Sequence, residues 1–146
     1  MLIGISPLIS PDLLAVLYRM GHGDEIVLAD AHFPGETYGK RVLRADGLKI
    51  ADLLEAILPL FALDTYGESP LIMMSAASGD QLDHALESSY RQTIDKHWPD
   101  TPPIQRIDRF DFYDRAKQAF VVLMTGETAK YGKIILKKGV PPTSGN

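Results

Sequence analysis

Between Met20 and Pro34 the sequence reads Met-Gly-His-Gly-Asp-Glu-Ile-Val-Leu-Ala-Asp-Ala-His-Phe-Pro. Five side chains that can carry protons or bind cations, His22, Asp24, Glu25, Asp30 and His32, stand here around one short apolar run. Glycines flank His22, so no neighbouring side chain shields it from a ligand, and an imidazole titrates near neutrality, which suits general acid–base work. The plain alternative is a turn histidine. Asp30 closes the apolar run, and in open α/β sheets the carboxyl ends of strands are where ligand contacts collect; the alternative is a cap or turn aspartate. His22, Asp24, Asp30 and His32 together are also a candidate ligand set for zinc, iron or manganese, although no HExxH or comparable spacing appears.

Two further stretches carry side chains of interest. Gly126 to Lys133 imitates a phosphate-binding loop, but five residues rather than four separate its glycines and Ile134 stands where Ser or Thr is needed. Tyr131-Gly132 can instead offer a ring and free backbone amides to a polar ligand, or form an ordinary turn. Arg109 precedes the aromatic group Phe110, Phe112 and Tyr113. It can contact a ligand or pair with Asp108 or Asp111, and the rings themselves read as core.

The elements that must position these residues are legible from periodicity. Ser10, Pro11 and Asp12 start a helix whose apolar residues run to Met20, with Gly21 placed to end it. Ile26 to Ala29 is a buried strand, so His22 enters it and Asp30 leaves it. Fully extended, the chain would set those two roughly 25 Å apart, and the glycines argue against full extension. Residues 31–40 read as a polar loop and 41–45 as a short strand. Asp46-Gly47 is a turn, and 49–58 is a helix with Ile50, Leu53, Leu54, Ile57 and Leu58 on one face. Leu60 to Leu63 packs. Strands follow at 71–76, 104–107, 120–124 and 134–136, and helices at 81–97 and 109–119. Residues 98–103 are irregular because of three prolines.

Continuous apolar strands alternating with helices predict a three-layer α/β/α domain with a mainly parallel sheet, mixed if the last strand adds an antiparallel edge. Residues 1–140 form one domain on this reading, and 141–146 are a disordered tail. The 146 residues contain no cysteine, which excludes disulfides, zinc–thiolate sites and cysteine nucleophiles. A cytoplasmic location is expected from that, and the N-terminus has no signal-peptide pattern. The net charge of −4 and the isolated basic pair Lys137-Lys138, read as a solvated strand end, argue against nucleic acid or an anionic membrane as partner.

Six motifs in order carry a resemblance: residues 6–11 (Ser-Pro-Leu-Ile-Ser-Pro), 20–25, 30–34 (Asp-Ala-His-Phe-Pro), 44–47 (Arg-Ala-Asp-Gly), Arg109-Phe110 with Phe112-Tyr113, and Lys130-Tyr131-Gly132 with 136–139 (Leu-Lys-Lys-Gly). Together they make the chain resemble the RbsD/FucU family of sugar mutarotases from Leu2 to about Pro141. Arg109 favours the fucose branch, since the ribose pyranase branch typically has His there.

The resemblance implies a cofactor-free, metal-free isomerase that interconverts the α and β anomers of a monosaccharide, L-fucose in the first place, with D-ribose as the alternative. It implies His22 as the proton donor and Asp30, Arg109, Tyr131, Gly132 and Lys133 as substrate-binding positions. Lys133 departs from the Asn usual in the family, which removes a side-chain amide but leaves backbone contacts available. It also implies a homo-oligomer, typically a decamer in bacteria, with sites near subunit interfaces. Two other classes stay open at this point: a metal-dependent enzyme using His22, Asp24, Asp30 and His32, and a sugar-binding module without turnover.

Overall fold

A computed structural model describes residues 1–143. The chain runs α1 (Pro11–Arg19), β1 (Glu25–Ala29), α2 (Gly35–Tyr38), β2 (Val42–Ala45), α3 (Ile50–Ile57), β3 (Leu71–Met74), α4 (His84–His97), β4 (Gln105–Ile107), α5 (Arg109–Gln118), β5 (Val121–Thr125) and β6 (Ile134–Lys137), with a 3-10 turn at Leu58–Leu60 after α3.

The six strands form one sheet in the order β2-β5-β1-β6-β3-β4. β1 and β2 flank β5 in parallel, and β3 pairs in parallel with β4. β6 is antiparallel to both its neighbours, β1 and β3. The antiparallel strand expected at an edge therefore lies in the middle, joining the two parallel halves. Ile134, Ile135 and Leu136 are all fully buried there, between neighbouring strands and with both faces of the sheet covered.

Alternation along the strands divides the core between the two faces. Ile26, Leu28, Leu71, Met73, Val121, Leu123, Ile134 and Leu136 face α1, α3 and α4. Val27, Ala29, Ile72, Met74, Val122, Met124 and Ile135 face α5, with Phe33, Phe112 and Ala116 packed upon them. The outcome is the three-layer α/β/α arrangement with a mixed sheet.

α1 begins as its residues dictate, with Ser10 Oγ accepting from the Leu13 amide and Pro11 in the first turn. It ends differently. Met20 leaves in an extended conformation, and Gly23 rather than Gly21 takes the left-handed φ of +89°. Lys138 Nζ closes the helix by donating to the carbonyls of Leu17 and Met20 at 2.8 and 2.5 Å. Lys138 of the basic pair is thus structural, because a lysine at a helix C-terminus satisfies open carbonyls and meets the negative end of the dipole. Residues 31–40 also contain the short helix α2, where a loop was expected. Gly35 sits buried there against Val122 and Met124, where a Cβ would displace the Met124 side chain. Of the expected disordered tail at 141–146, residues 144–146 lie outside the described residues. Among the described residues no helix is long and apolar enough to cross a membrane.

Candidate active site

β1 separates the residues singled out in the sequence into two groups. His22 sits in the turn before the strand, and Asp30 follows its last residue. Five residues at ~3.3 Å each put ~16 Å of sheet between them, so one copy of the chain does not bring them together. Asp24 lies with His22, where its Oδ2 accepts from the Gly21 amide at 2.8 Å. His32 lies with Asp30, its amide donating to Asp30 Oδ1 at 3.0 Å. The four-residue ligand set is therefore split between the two ends of β1, on the opposite strand-end edges of the sheet. Among the described residues no three His, Cys, Asp or Glu side chains gather in a way that could hold a metal.

At the His22 edge the imidazole is half exposed and its Nε2 lies 3.0 Å from Oδ1 of Asp64, a carboxylate with 3% of its side chain in contact with solvent. The carboxylate fixes the tautomer that carries a proton on Nε2 and turns Nδ1 towards the surroundings. Asp64 is itself held by the Tyr66 amide at 3.2 Å, and Lys137 Nζ lies 3.8 Å away. Burial pushes the Asp64 carboxyl up, but the hydrogen bonds from His22 and the Tyr66 amide, with the charges of His22 and Lys137, outweigh it and leave the group below its ordinary range. The Tyr66 ring flanks the imidazole, 5.6 Å between centroids. Asp64 was not singled out in the sequence. Its one signal is an acid closing the apolar stretch 60–63, a place where it must either find a partner or cost the fold heavily.

At the other edge the ends of β1, β5 and β6 are tied together. Thr125 Oγ1 donates to the Ala29 carbonyl at 2.7 Å, and the Ala31 amide donates to the Glu127 carbonyl at 2.7 Å. This fixes Asp30 in a buried position where Lys133 Nζ reaches its Oδ2 at 3.2 Å. The ammonium lies within 6 Å of the Phe33, Phe112 and Tyr131 rings, a distance at which ring faces attract a cation. Tyr90 supports the same segment from below: its hydroxyl donates to the Gly132 carbonyl at 2.8 Å. Burial, and then the charges of Glu127 and Asp30, push the Tyr90 phenol far up, so it remains a neutral donor. Gly132 is needed in that packing, since a Cβ would come within 3.0 Å of the Ala129 carbonyl oxygen and 3.1 Å of Glu127.

Tyr131 has a left-handed φ of +58° and its hydroxyl is engaged twice, by the Ala77 amide at 3.0 Å and by Asp80 Oδ2 at 2.5 Å. Arg109 opens α5, and its guanidinium lies 5.3 Å above the Tyr113 ring instead of pairing with Asp108 or Asp111. Asp108 is occupied as the helix N-cap, accepting from the Asp111 amide. Tyr113 in turn meets Phe33 edge-on, so Arg109, Tyr131, Gly132, Lys133 and Asp30 belong to one cluster. Of the three aromatic residues read as core, Phe112 is fully buried, Tyr113 partly so, and Phe110 stands 77% exposed. Chemically, this edge offers an anion, two cations, a phenol and aromatic faces, a set suited to a polyhydroxylated ligand. The opposite edge offers a carboxylate-held imidazole that can move a proton.

Comparison with known proteins places the same pattern elsewhere. The model of the RbsD/FucU transport protein family matches residues 3–141. The L-fucose mutarotase of Histophilus somni (strain 2336) is 61% identical over 142 residues, spanning 97% of this chain and 99% of that one. The crystal structure of the fucose mutarotase of Streptococcus pneumoniae in complex with L-fucose superposes with a TM-score of 0.91 at 46% identity, covering 97% of this chain and 100% of that chain. Bacillus subtilis RbsD complexed with D-ribose shares the fold, with a TM-score of 0.70 at 21% identity, covering 96% and 98% of the two chains.

Proposed function

The chain belongs to the RbsD/FucU family, and on that premise we propose that it is an L-fucose mutarotase, an isomerase that interconverts the α and β anomers by opening and reclosing the sugar ring. The observation that carries this reading is the His22–Asp64 pair at one edge together with a polar, aromatic-lined cluster at the other. Full-length identity of 61% to an L-fucose mutarotase supports fucose as the sugar.

Ring opening needs a proton at the ring oxygen. His22 as imidazolium supplies it from Nδ1, while Asp64 holds Nε2 and stabilises the charged ring. Asp30 accepts hydrogen bonds from sugar hydroxyls, and Arg109 and Lys133 donate to others. Tyr131 and the Gly132 backbone complete the binding surface. As the C1–O5 bond breaks, the anomeric hydroxyl gives up its proton to an acceptor at the site; the aldehyde turns over, and closure on the other face returns one proton to the anomeric oxygen and the other to His22. General acid–base assistance is typically worth ~10²–10⁴-fold, added to an uncatalysed reaction that already proceeds.

His22 and the sugar-holding cluster belong to different chains on this reading. A homo-oligomer, a ring such as a decamer, sets the His22 edge of one copy against the Asp30 edge of another. Exposed apolar side chains near the His22 turn support such a contact. Tyr18 and Leu60 line a cleft with Leu14, Leu17 and Lys138, and the Lys138 carbonyl accepts from the Gly23 amide. A cytoplasmic location accords with a small-molecule metabolic role, and residues 1–140 act as the catalytic domain.

The test is exchange of L-fucose anomers by NMR saturation transfer, run beside D-ribose. His22→Ala and Arg109→Ala proteins are then unfolded together, mixed and refolded. With a shared site the mixture recovers about a quarter of wild-type activity, because random assembly leaves that fraction of interfaces intact on both sides. No recovery from two inactive parents refutes the shared site, and no acceleration of either sugar by the wild type refutes the mutarotase.

A further inference from the structure

Asp80 takes no part in the site as the family resemblance draws it, yet it holds the hydroxyl of Tyr131. The Tyr131 hydroxyl has one proton to give and two lone pairs to offer. Its proton goes to Asp80 Oδ2 at 2.5 Å, and one lone pair accepts from the Ala77 amide at 3.0 Å. What remains free is a single lone pair, so towards a ligand Tyr131 can only accept. The surroundings enforce this geometry. A tyrosine at φ +58° is strained and persists only where contacts hold it there, and the two bonds to its hydroxyl are such contacts.

We infer that Asp80 is a positioning residue that makes Tyr131 the base of ring opening, receiving the phenolic proton when Tyr131 takes a proton from the anomeric hydroxyl. This rests on the mutarotase reading above and supplies the acceptor that His22 alone leaves unassigned during opening. The step balances as follows. Nδ1–H of His22 gives its proton to the ring oxygen, the C1–O5 bond breaks, and C1 forms its double bond to the anomeric oxygen. The proton on that oxygen passes to the Tyr131 oxygen as the phenolic proton passes to Asp80. Closure on the opposite face returns both protons.

A carboxylate is a weak base, but it is strong enough here. Because His22 leads, the group to be deprotonated is a protonated aldehyde, a far stronger acid than a sugar hydroxyl. Asp80 is also ionised at neutral pH: the hydrogen bond from Tyr131, and then the charge and hydrogen bond of Lys130 at 3.4 Å, hold its carboxyl below the ordinary range. Tyr131 and Lys130 are the titratable groups that face it.

The experiment measures L-fucose anomer exchange against sugar concentration for wild type, Asp80→Asn, Tyr131→Phe and the double variant, with thermal midpoints as a check on folding. Asp80→Asn keeps the hydrogen-bond acceptor but not the base. We expect its kcat to fall ~10²-fold, the lower end of general base effects, with KM within about 2-fold of wild type, as for an interaction made in the transition state. In the Tyr131→Phe background the same substitution should cost nothing further, because the two act as one unit. Since Asp80 is partly exposed, formate should restore part of the activity of Asp80→Ala. Unchanged kcat in Asp80→Asn beside an active wild type overturns this inference alone, as does an equal loss in the Tyr131→Phe background. An inactive wild type overturns it together with the mutarotase reading.

Discussion

Lys133 Nζ lies 3.2 Å from Oδ2 of Asp30, and both side chains keep less than a tenth of their surface in contact with solvent. The other carboxylate oxygen is held by the His32 amide. Neither charge would be tolerable alone at this depth, and each is the other's compensation. A buried cation therefore lies against the acid proposed to hold the sugar. Both oxygens of Asp30 are thus engaged within the chain, one by Lys133 and one by the His32 amide.

Breaking this pair from one side should destabilise the protein strongly. Asp30→Asn leaves a buried ammonium without its counter-charge, and such losses run ~3–5 kcal/mol. Lys133→Met should also be costly. The double variant, which removes both charges, should lose less than the two single losses added together. Urea unfolding of the four proteins measures the coupling, and strict additivity would show that the pair contributes nothing as a pair.

The His22 edge should show its largest effect on rate. The imidazole is half exposed, so His22→Ala leaves little cavity, but it removes a hydrogen bond from the buried Asp64 carboxylate and should lower the unfolding midpoint by an amount equivalent to ~1–3 kcal/mol. Anomer exchange should fall ~10²–10⁴-fold, the usual contribution of a general acid. A folded His22→Ala protein with wild-type exchange would remove His22 from the mechanism.

Most of this architecture is legible in the residues. The helical face of Ile50, Leu53, Leu54 and Ile57 is buried as its spacing requires, and Ser10-Pro11 starts α1. What escapes sequence reading is set by distant pairing. The central place of β6 depends on which strands it joins, and three apolar residues alone do not say which. α2 is held by the packing of Gly35 on β5, a tertiary contact that overrides a loop-like composition. The site residues were legible by type and position, but not their division between two edges. Asp64 and Asp80 were not legible at all as partners of His22 and Tyr131. They lie 42 and 51 residues away in sequence, and an isolated aspartate has no pattern until the fold supplies its neighbour.

Tyr90 offers a test of the support beneath the sugar-binding segment. Its hydroxyl is fully buried and donates to the Gly132 carbonyl. Tyr90→Phe removes the donor without changing the shape of the ring and leaves that carbonyl unpaired, a loss of ~1–3 kcal/mol. Because Gly132 lies between Tyr131 and Lys133, the same change should raise KM for L-fucose several-fold while His22 chemistry continues. A loss of stability with unchanged KM would show that the segment keeps its geometry without Tyr90.

Acid should reveal the charge on Asp64. Its carboxyl sits below the ordinary range in the folded protein, since the hydrogen bonds from His22 and the Tyr66 amide and the charges of His22 and Lys137 outweigh the effect of burial. A depressed carboxyl contributes stability in full above its unfolded value of ~3.9 and loses it as pH falls through the lower folded value. Asp64→Asn removes this titration, so the wild-type advantage over the variant should be constant from neutrality to about pH 5 and shrink below about pH 4. Asp46, Glu55 and Asp80 are depressed as well, by Arg44, by Lys96 and His97, and by the Tyr131 hydroxyl and then Lys130, but they titrate in both proteins and cancel in the difference. Urea unfolding of wild type and Asp64→Asn at pH 7, 5 and 3 measures it. A gap that widened towards pH 3 would reverse the sign and mean that Asp64 is held protonated, leaving His22 without the carboxylate that orients it.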